Sequence, residues 1–207
     1  MDFRCASVES EQLRILWPIK ALFNGLESPP EFSMMDALAD VILECKNGNI
    51  EMDASELDGI AISCDEFGTD RKDFGEATLL CQREVASIAI YTSEFIDHAK
   101  SFFSTMNSFL RGAQRRQLKP FVKFIWLLMH ALKKCPVFEG KFVYRGVRKQ
   151  LGGYAQGRKI SWCQFASCFC DFEAQQKIIG KEGPRTIFKI EVRRHYFIIL
   201  LNLMTYF

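Results

Sequence analysis

Between residues 120 and 141 the chain changes its hydrophobic rhythm, and that change restricts its fold more than any other feature. Pro120 suits a helix first turn, where its missing N–H leaves nothing unpaired. Phe121, Phe124, Ile125, Leu128 and Leu132 then recur at the three-and-four spacing of one helical face. Trp126, Leu127 and Met129 widen that face, so the sequence predicts a helix buried on most of its sides. After Cys135-Pro136 the pattern becomes β-like. Residues 141–147 mix aromatic and β-branched side chains, and 186–192 alternate through Ile187, Phe188, Ile190 and Val192. Helical periodicity before 135 and strand periodicity after 141 predict an α+β chain with a helical N-terminal lobe followed by a small β region.

Local signals fill in both parts. Ser33 is placed to N-cap a helix over Met34–Lys46, which Gly48 stops. A second helix is expected over 54–64, followed by a charged, glycine-bearing loop over 67–74. Val85, Ile88, Ala89 and Thr92 share a helical face. So do Phe102, Met106, Phe109 and Leu110, after an Asp97 cap, with Arg111-Gly112 as the end. Pro18 and Pro29-Pro30 favour loop. Past the break, Gly152-Gly153 and Gly157 mark turns, 159–162 reads as a strand and 165–170 as an extended segment. Asp171 is placed to cap a short helix to Ile179, closed by Gly180, before a turn at Gly183-Pro184. The apolar run 196–207 holds 12 residues, whereas a spanning helix needs about 20. It reads as a last strand or an unpacked terminus, and no membrane span is expected.

The length of 207 residues allows one sizeable domain with a helical extension, and a hydrophobic fraction of 48% that includes 19 Phe supplies its core. The net charge of +2 conceals a split. Residues 1–100 carry 8 Lys+Arg and 20 Asp+Glu, a balance of −12, and 101–207 carry 19 and 5, a balance of +14. A basic half suits an anionic ligand, either a dinucleotide or a nucleic acid, and equally suits attraction between two oppositely charged lobes. The eight cysteines include no Cys-x-x-Cys pair, and Cys163, Cys168 and Cys170 lack zinc-ligand spacing, so no metal is expected. Charges interrupt the first 13 residues, leaving no apolar signal core. With Cys45, Cys64 and Cys81 inside apolar runs, a reduced cytoplasmic chain is the expectation.

The residues with the most chemical content are Tyr144-Arg145-Gly146 and, some twenty positions on, Trp162-Cys163-Gln164-Phe165-Ala166-Ser167. Arginine offers a rigid fork of donors for phosphate, serine a hydroxyl that both donates and accepts, and aromatic residues a wall for a flat ring. No glycine-rich phosphate loop of Rossmann or P-loop type is present. Val143-Tyr144-Arg145-Gly146-Val147 resembles the Tyr-Arg-Gly strand of the arginine-specific mono-ADP-ribosyltransferases. Tyr154, Gly157, Ile160-Ser161-Trp162 and Phe165-Ala166-Ser167 are similar to that family's second strand pair, where a Phe-x-Ser-x-Ser or Phe-x-Ser-x-Thr motif carries the active-site serine. Residues 180–191 resemble its next loop and strand. Upstream, 84–92, 118–121 and 131–136 resemble the helices that precede its catalytic fold.

The resemblance covers about residues 80–191. It implies a split mixed β-sheet of ADP-ribosyltransferase type, with a helical N-terminal extension over 1–80 and the transferase-like domain over 81–207, helical at 81–135 and β at 141–207. It implies transfer of ADP-ribose from NAD+ to an exposed arginine of an acceptor protein, with release of nicotinamide. NAD+ would be bound as substrate by Arg145, Gly146 and Ser167. Ser167 would also support the catalytic glutamate.

Two departures accompany the resemblance. Phe169 stands where the family has Ser or Thr. The family's Glu-x-Glu or Gln-x-Glu element is missing, because no acidic residue follows Glu191, and 193–207 does not resemble the family. The domain therefore reads as C-terminally incomplete. The alternative is a catalytically silent remnant that binds NAD+ weakly or acts as an interaction domain. A third reading places nucleic acid along Arg111, Arg115, Arg116, Lys119 and Lys123 with Phe121 and Trp126. Those aromatics belong to the apolar stripe, so nucleic acid is not the expected partner.

Overall fold

The computed structural model describes residues 31–70, 80–112, 115–135, 138–158, 160, 162 and 164–192. The expectations for Pro18, Pro29-Pro30 and 196–207 fall outside them. By compactness the chain divides at Pro136 and Val137. Helices on both sides of residue 80 thus share the first unit, and the strands lie in the second.

The helical unit contains α1 (Met34–Lys46), α2 (Ala54–Asp70), α3 (Gln82–Thr92), α4 (Phe102–Arg111) and α5 (Val122–Lys134). The Ser33 hydroxyl accepts from Asp36 N–H, and the Asp36 carboxylate accepts from Ser33 N–H, closing a reciprocal cap on α1. Gly48 follows α1 with φ +73°. The stripe is buried as the periodicity predicts: Phe124, Ile125, Leu128 and Leu132 of α5 are inside, as is Phe121, which ends a 3-10 helix over Arg115–Phe121 that holds Pro120 and precedes α5. Phe102 meets Phe124 edge-on at 4.5 Å and Phe121 at 5.6 Å, tying α4 to α5. Trp126 and Met129 are only half-buried, so α5 keeps a solvent-facing side that the sequence pattern had closed.

Three further expectations are corrected. Helix α2 runs to Asp70, so 67–70 are helical; the rest of the expected loop over 67–74 lies outside the described residues. Gly68 is there for space, since a Cβ on it would stand 2.6 Å from the Gln82 carbonyl oxygen. Gln82 in turn donates its side-chain amide to Asp65, joining α2 to the start of α3. Second, Asp97 caps a 3-10 turn at His98–Lys100, and Ser101 is the cap of α4. Third, α3 is buried over much more than one face, with Glu84, Ala86, Ser87, Ile88, Ala89, Ile90 and Tyr91 all inside and Val85 half-buried. The buried Glu84 carboxylate accepts from Cys81 N–H and pairs with Lys134 at 2.8 Å, which links the start of α3 to the end of α5.

In the second unit, β1 (Phe142–Val147) and β2 (Thr186–Glu191) pair antiparallel, with Arg145 opposite Phe188 and Phe142 opposite Glu191. On the other edge of β1, Tyr144 exchanges both backbone hydrogen bonds with Phe169. Helix α6 (Phe172–Ile179) is capped by Asp171, whose carboxylate accepts from Glu173 and Ala174 N–H, and is closed by Gly180 at φ +74°. Among the described residues every strand pairing is antiparallel. The strand expected at 159–162 is absent at Ile160 and Trp162, with 159 and 161 outside the described residues. The segment at 165–170 contributes bridge residues only at Cys168 and Phe169, the latter paired with Tyr144. These runs pack through side chains, whereas a strand needs a partner at ladder spacing along its length. No described helix is long and apolar enough to cross a membrane.

Candidate functional site

Alternation along β1 sorts its side chains onto two faces. Tyr144 and Gly146 look toward α6. The Tyr144 ring lies 5.5 Å from that of Phe172, and a Cβ on Gly146 would stand 2.5 Å from Ile179 Cγ2 and 2.7 Å from Gln175 Nε2. Gly146 is thus required by the close approach of α6, on the face turned away from Arg145. Glu191, opposite Phe142, lies on this same face and sits 4.0 Å from the Lys141 ammonium.

Val143 and Arg145 point the other way, with their cross-strand partners Ile190 and Phe188. The half-buried Arg145 extends over the Trp162 ring, its Cζ 5.6 Å from the ring centre. Trp162 meets Phe188 edge-on at 5.2 Å, and Tyr154 meets Phe188 edge-on at 4.8 Å. One guanidinium nitrogen of Arg145, Nη1, donates to the Ser167 carbonyl at 3.1 Å. No other hydrogen bond and no carboxylate reaches Arg145 among the described residues, and the Ser167 hydroxyl is without a hydrogen bond there as well.

Arg145 and Ser167 are therefore brought together, through the serine's main-chain carbonyl. The contact follows from the bridge at Phe169, which sets Cys168 opposite Arg145. Burial pushes the Cys168 thiol up in pKa, and the neighbouring guanidinium pulls the other way. Phe169, the departure from the motif, is held by its backbone, so the change of side chain leaves the bridge intact. Sequence reasoning named Arg145, Gly146 and Ser167 but did not single out Phe188, Tyr154 and Trp162 as one cluster. Their grouping depends on strand register, which no local spacing reveals.

The chemistry this face supports is anion recognition beside aromatic surface. Guanidinium carries five N–H donors, and one is used. The remaining edge suits two phosphate oxygens. Among the described residues no group of His, Cys, Asp or Glu is arranged to hold a metal ion. Six cysteines, Cys45, Cys64, Cys81, Cys135, Cys168 and Cys170, are free thiols. In the helical unit, a hollow of about 490 Å³ is bordered by Glu51, Asp53, Glu56 and Asp97. Those acids hold the chain itself: Asp53 caps α2, Asp97 caps the 3-10 turn, Glu56 accepts from Ile96 N–H, and Glu51 pairs with Lys100. Phe121, offered for stacking in the nucleic-acid reading, is fully buried against Phe102 and Phe109. Comparison with family models, with curated proteins and with solved structures found no match.

Proposed function

We propose that this chain is an NAD+-binding protein of the arginine-specific mono-ADP-ribosyltransferase type, with Arg145 on the pyrophosphate. The observation that carries the reading is a half-buried guanidinium with no carboxylate against it among the described residues, held by one neutral carbonyl over an indole face. A buried or half-buried charge left without a counter-ion is costly, and a bound anion supplies one. The resemblance in the order of the Tyr-Arg-Gly, Phe-Ala-Ser and 180–191 segments points the same way. In the reaction, a guanidine nitrogen of the acceptor arginine attacks the ribose C1′ as the C1′–nicotinamide bond breaks. Nicotinamide leaves neutral with the bonding pair, and the acceptor nitrogen loses a proton. Positive charge builds on the sugar, which calls for a carboxylate nearby.

A second reading, binding of NAD+ without transfer, is favoured by the carboxylates. Glu191 lies on the opposite sheet face from Arg145, and no described carboxylate lies against the guanidinium. This sequence is therefore expected to bind NAD+ and to transfer ADP-ribose slowly or not at all. The test measures NAD+ affinity by calorimetry and transfer of labelled ADP-ribose to an arginine-rich acceptor. It uses this sequence and a version with a Glu-x-Glu ending in place of the residues after Glu191. Binding that Arg145→Ala removes, with transfer gained in the second protein, supports the transferase type. NAD+ binding indifferent to Arg145, or absent at millimolar NAD+, overturns it.

A further inference from the structure

We propose that Trp162 is the positioning residue of the anion site: its indole face holds the Arg145 guanidinium in the one orientation that presents the unused donor edge to phosphate. The inference rests on the NAD+ reading for the ligand, and on geometry for the role.

Arginine has a long, rotamer-rich side chain, and an unrestrained one spends little time in any single pose. Here three constraints act on one guanidinium. The backbone of Arg145 is set in β1 opposite Phe188. Nη1 is tethered to the Ser167 carbonyl at 3.1 Å. The planar group lies over the Trp162 ring, with 5.6 Å from Cζ to the ring centre. A single hydrogen bond fixes a point and leaves rotation about it. An aromatic surface beneath the group restricts that rotation, and the attraction of the cation for the ring face favours the pose.

The indole is itself fixed. Its ring stands at 77° to that of Phe188, 5.2 Å away, and Phe188 is also contacted edge-on by Tyr154 at 4.8 Å. Phe188 is the cross-strand partner of Arg145, so the support under the indole and the strand bearing the arginine belong to one ladder. Trp162 thus acts on the ligand through Arg145. The ordering is completed before a ligand arrives, which lowers the entropy lost on binding.

The experiment uses the full chain with two probes, inorganic pyrophosphate and NAD+, on wild type, Arg145→Ala, Trp162→Leu and Trp162→Phe. Affinities are read by calorimetry. Separately, the Arg145 Nε–H resonance is read by NMR without ligand, where a stacked ring shifts it upfield. Expected are loss of pyrophosphate and NAD+ binding in Arg145→Ala and a drop of roughly 3- to 30-fold for both probes in Trp162→Leu, the range a cation–π contact carries. Trp162→Phe should restore most of the affinity. The upfield shift should be present in wild type and Trp162→Phe and lost in Trp162→Leu. If Arg145→Ala abolishes binding while Trp162→Leu binds as wild type, or if Trp162→Phe is as weak as Trp162→Leu, the positioning role is overturned and the anion site stands. If pyrophosphate follows the expected pattern but NAD+ does not bind, Trp162 keeps its role and the NAD+ reading falls. If neither probe binds, both fall.

Discussion

At the scale of single residues, Gly146 and Asp36 show how one side chain, or the lack of one, sets local geometry. Gly146 lets α6 lie close on β1, and any Cβ there would collide with Ile179 and Gln175. Gly146→Ala should therefore cost about 1–3 kcal/mol through overpacking. Gly152→Ala, where a Cβ meets nothing within 4 Å, should stay within about 0.5 kcal/mol. Urea titration of both variants checks this, and equal stabilities would refute the packing role. Asp36 carries a pH consequence. Its hydrogen bonds from the Ser33 hydroxyl and backbone N–H hold its carboxyl below the ordinary range. A depressed folded-state pKa means the contribution is present above the unfolded value of about 3.9 and is lost as pH falls through the folded one. Stability measured from pH 5 downward should thus fall less steeply in Asp36→Asn than in wild type. Parallel curves would show that the cap carries no titrating contribution.

Elements differ in how much of them local sequence specifies. Helices α1, α5 and α6 are legible because stripe, cap and stop coincide: Ser33 and Gly48, the Phe121–Leu132 spacing, Asp171 and Gly180. Helix α2 is misread at its end, because Gly68 looks like a breaker and is in fact a contact point against Gln82. The strand expected at 159–162 is misread because apolar alternation cannot tell a ladder partner from an aromatic cluster. For α5 the prediction concerns its central leucine. Leu128 is fully buried, so Leu128→Ala should cost about 2–5 kcal/mol. A loss below about 1 kcal/mol on chemical denaturation would mean that this helix is peripheral.

For the whole molecule, ligand linkage gives the broadest test of the proposed function. A ligand that binds only the folded state stabilises it by mass action, by about 2.7 kcal/mol at a hundred times its Kd. NAD+ should raise the denaturation midpoint of the chain, and the rise should vanish in Arg145→Ala. A shift that survives this substitution would place the ligand elsewhere. The charge split and the structural one do not coincide, since the basic residues of 101–136 belong to the helical unit; the described residues of the β unit still carry nine Lys and Arg against five Asp and Glu. That excess of positive charge favours an anionic ligand on this unit over a cationic one.

The α+β character, the helical order, the caps at Ser33 and Asp171 and the nearness of Arg145 to Ser167 were legible from residue types and spacing, because these depend on contacts within a few residues or on motif order, whereas the cap of α4 was misassigned to Asp97. Strand register decided the rest. It turned Gly146 and Glu191 toward one face and Arg145 toward the other, and it gathered Tyr154, Trp162 and Phe188 around the guanidinium. A shift of one residue between β1 and β2 would exchange the faces without changing any local pattern. For that reason the make-up of the Arg145 face is a property of tertiary pairing, while the helices are a property of the sequence.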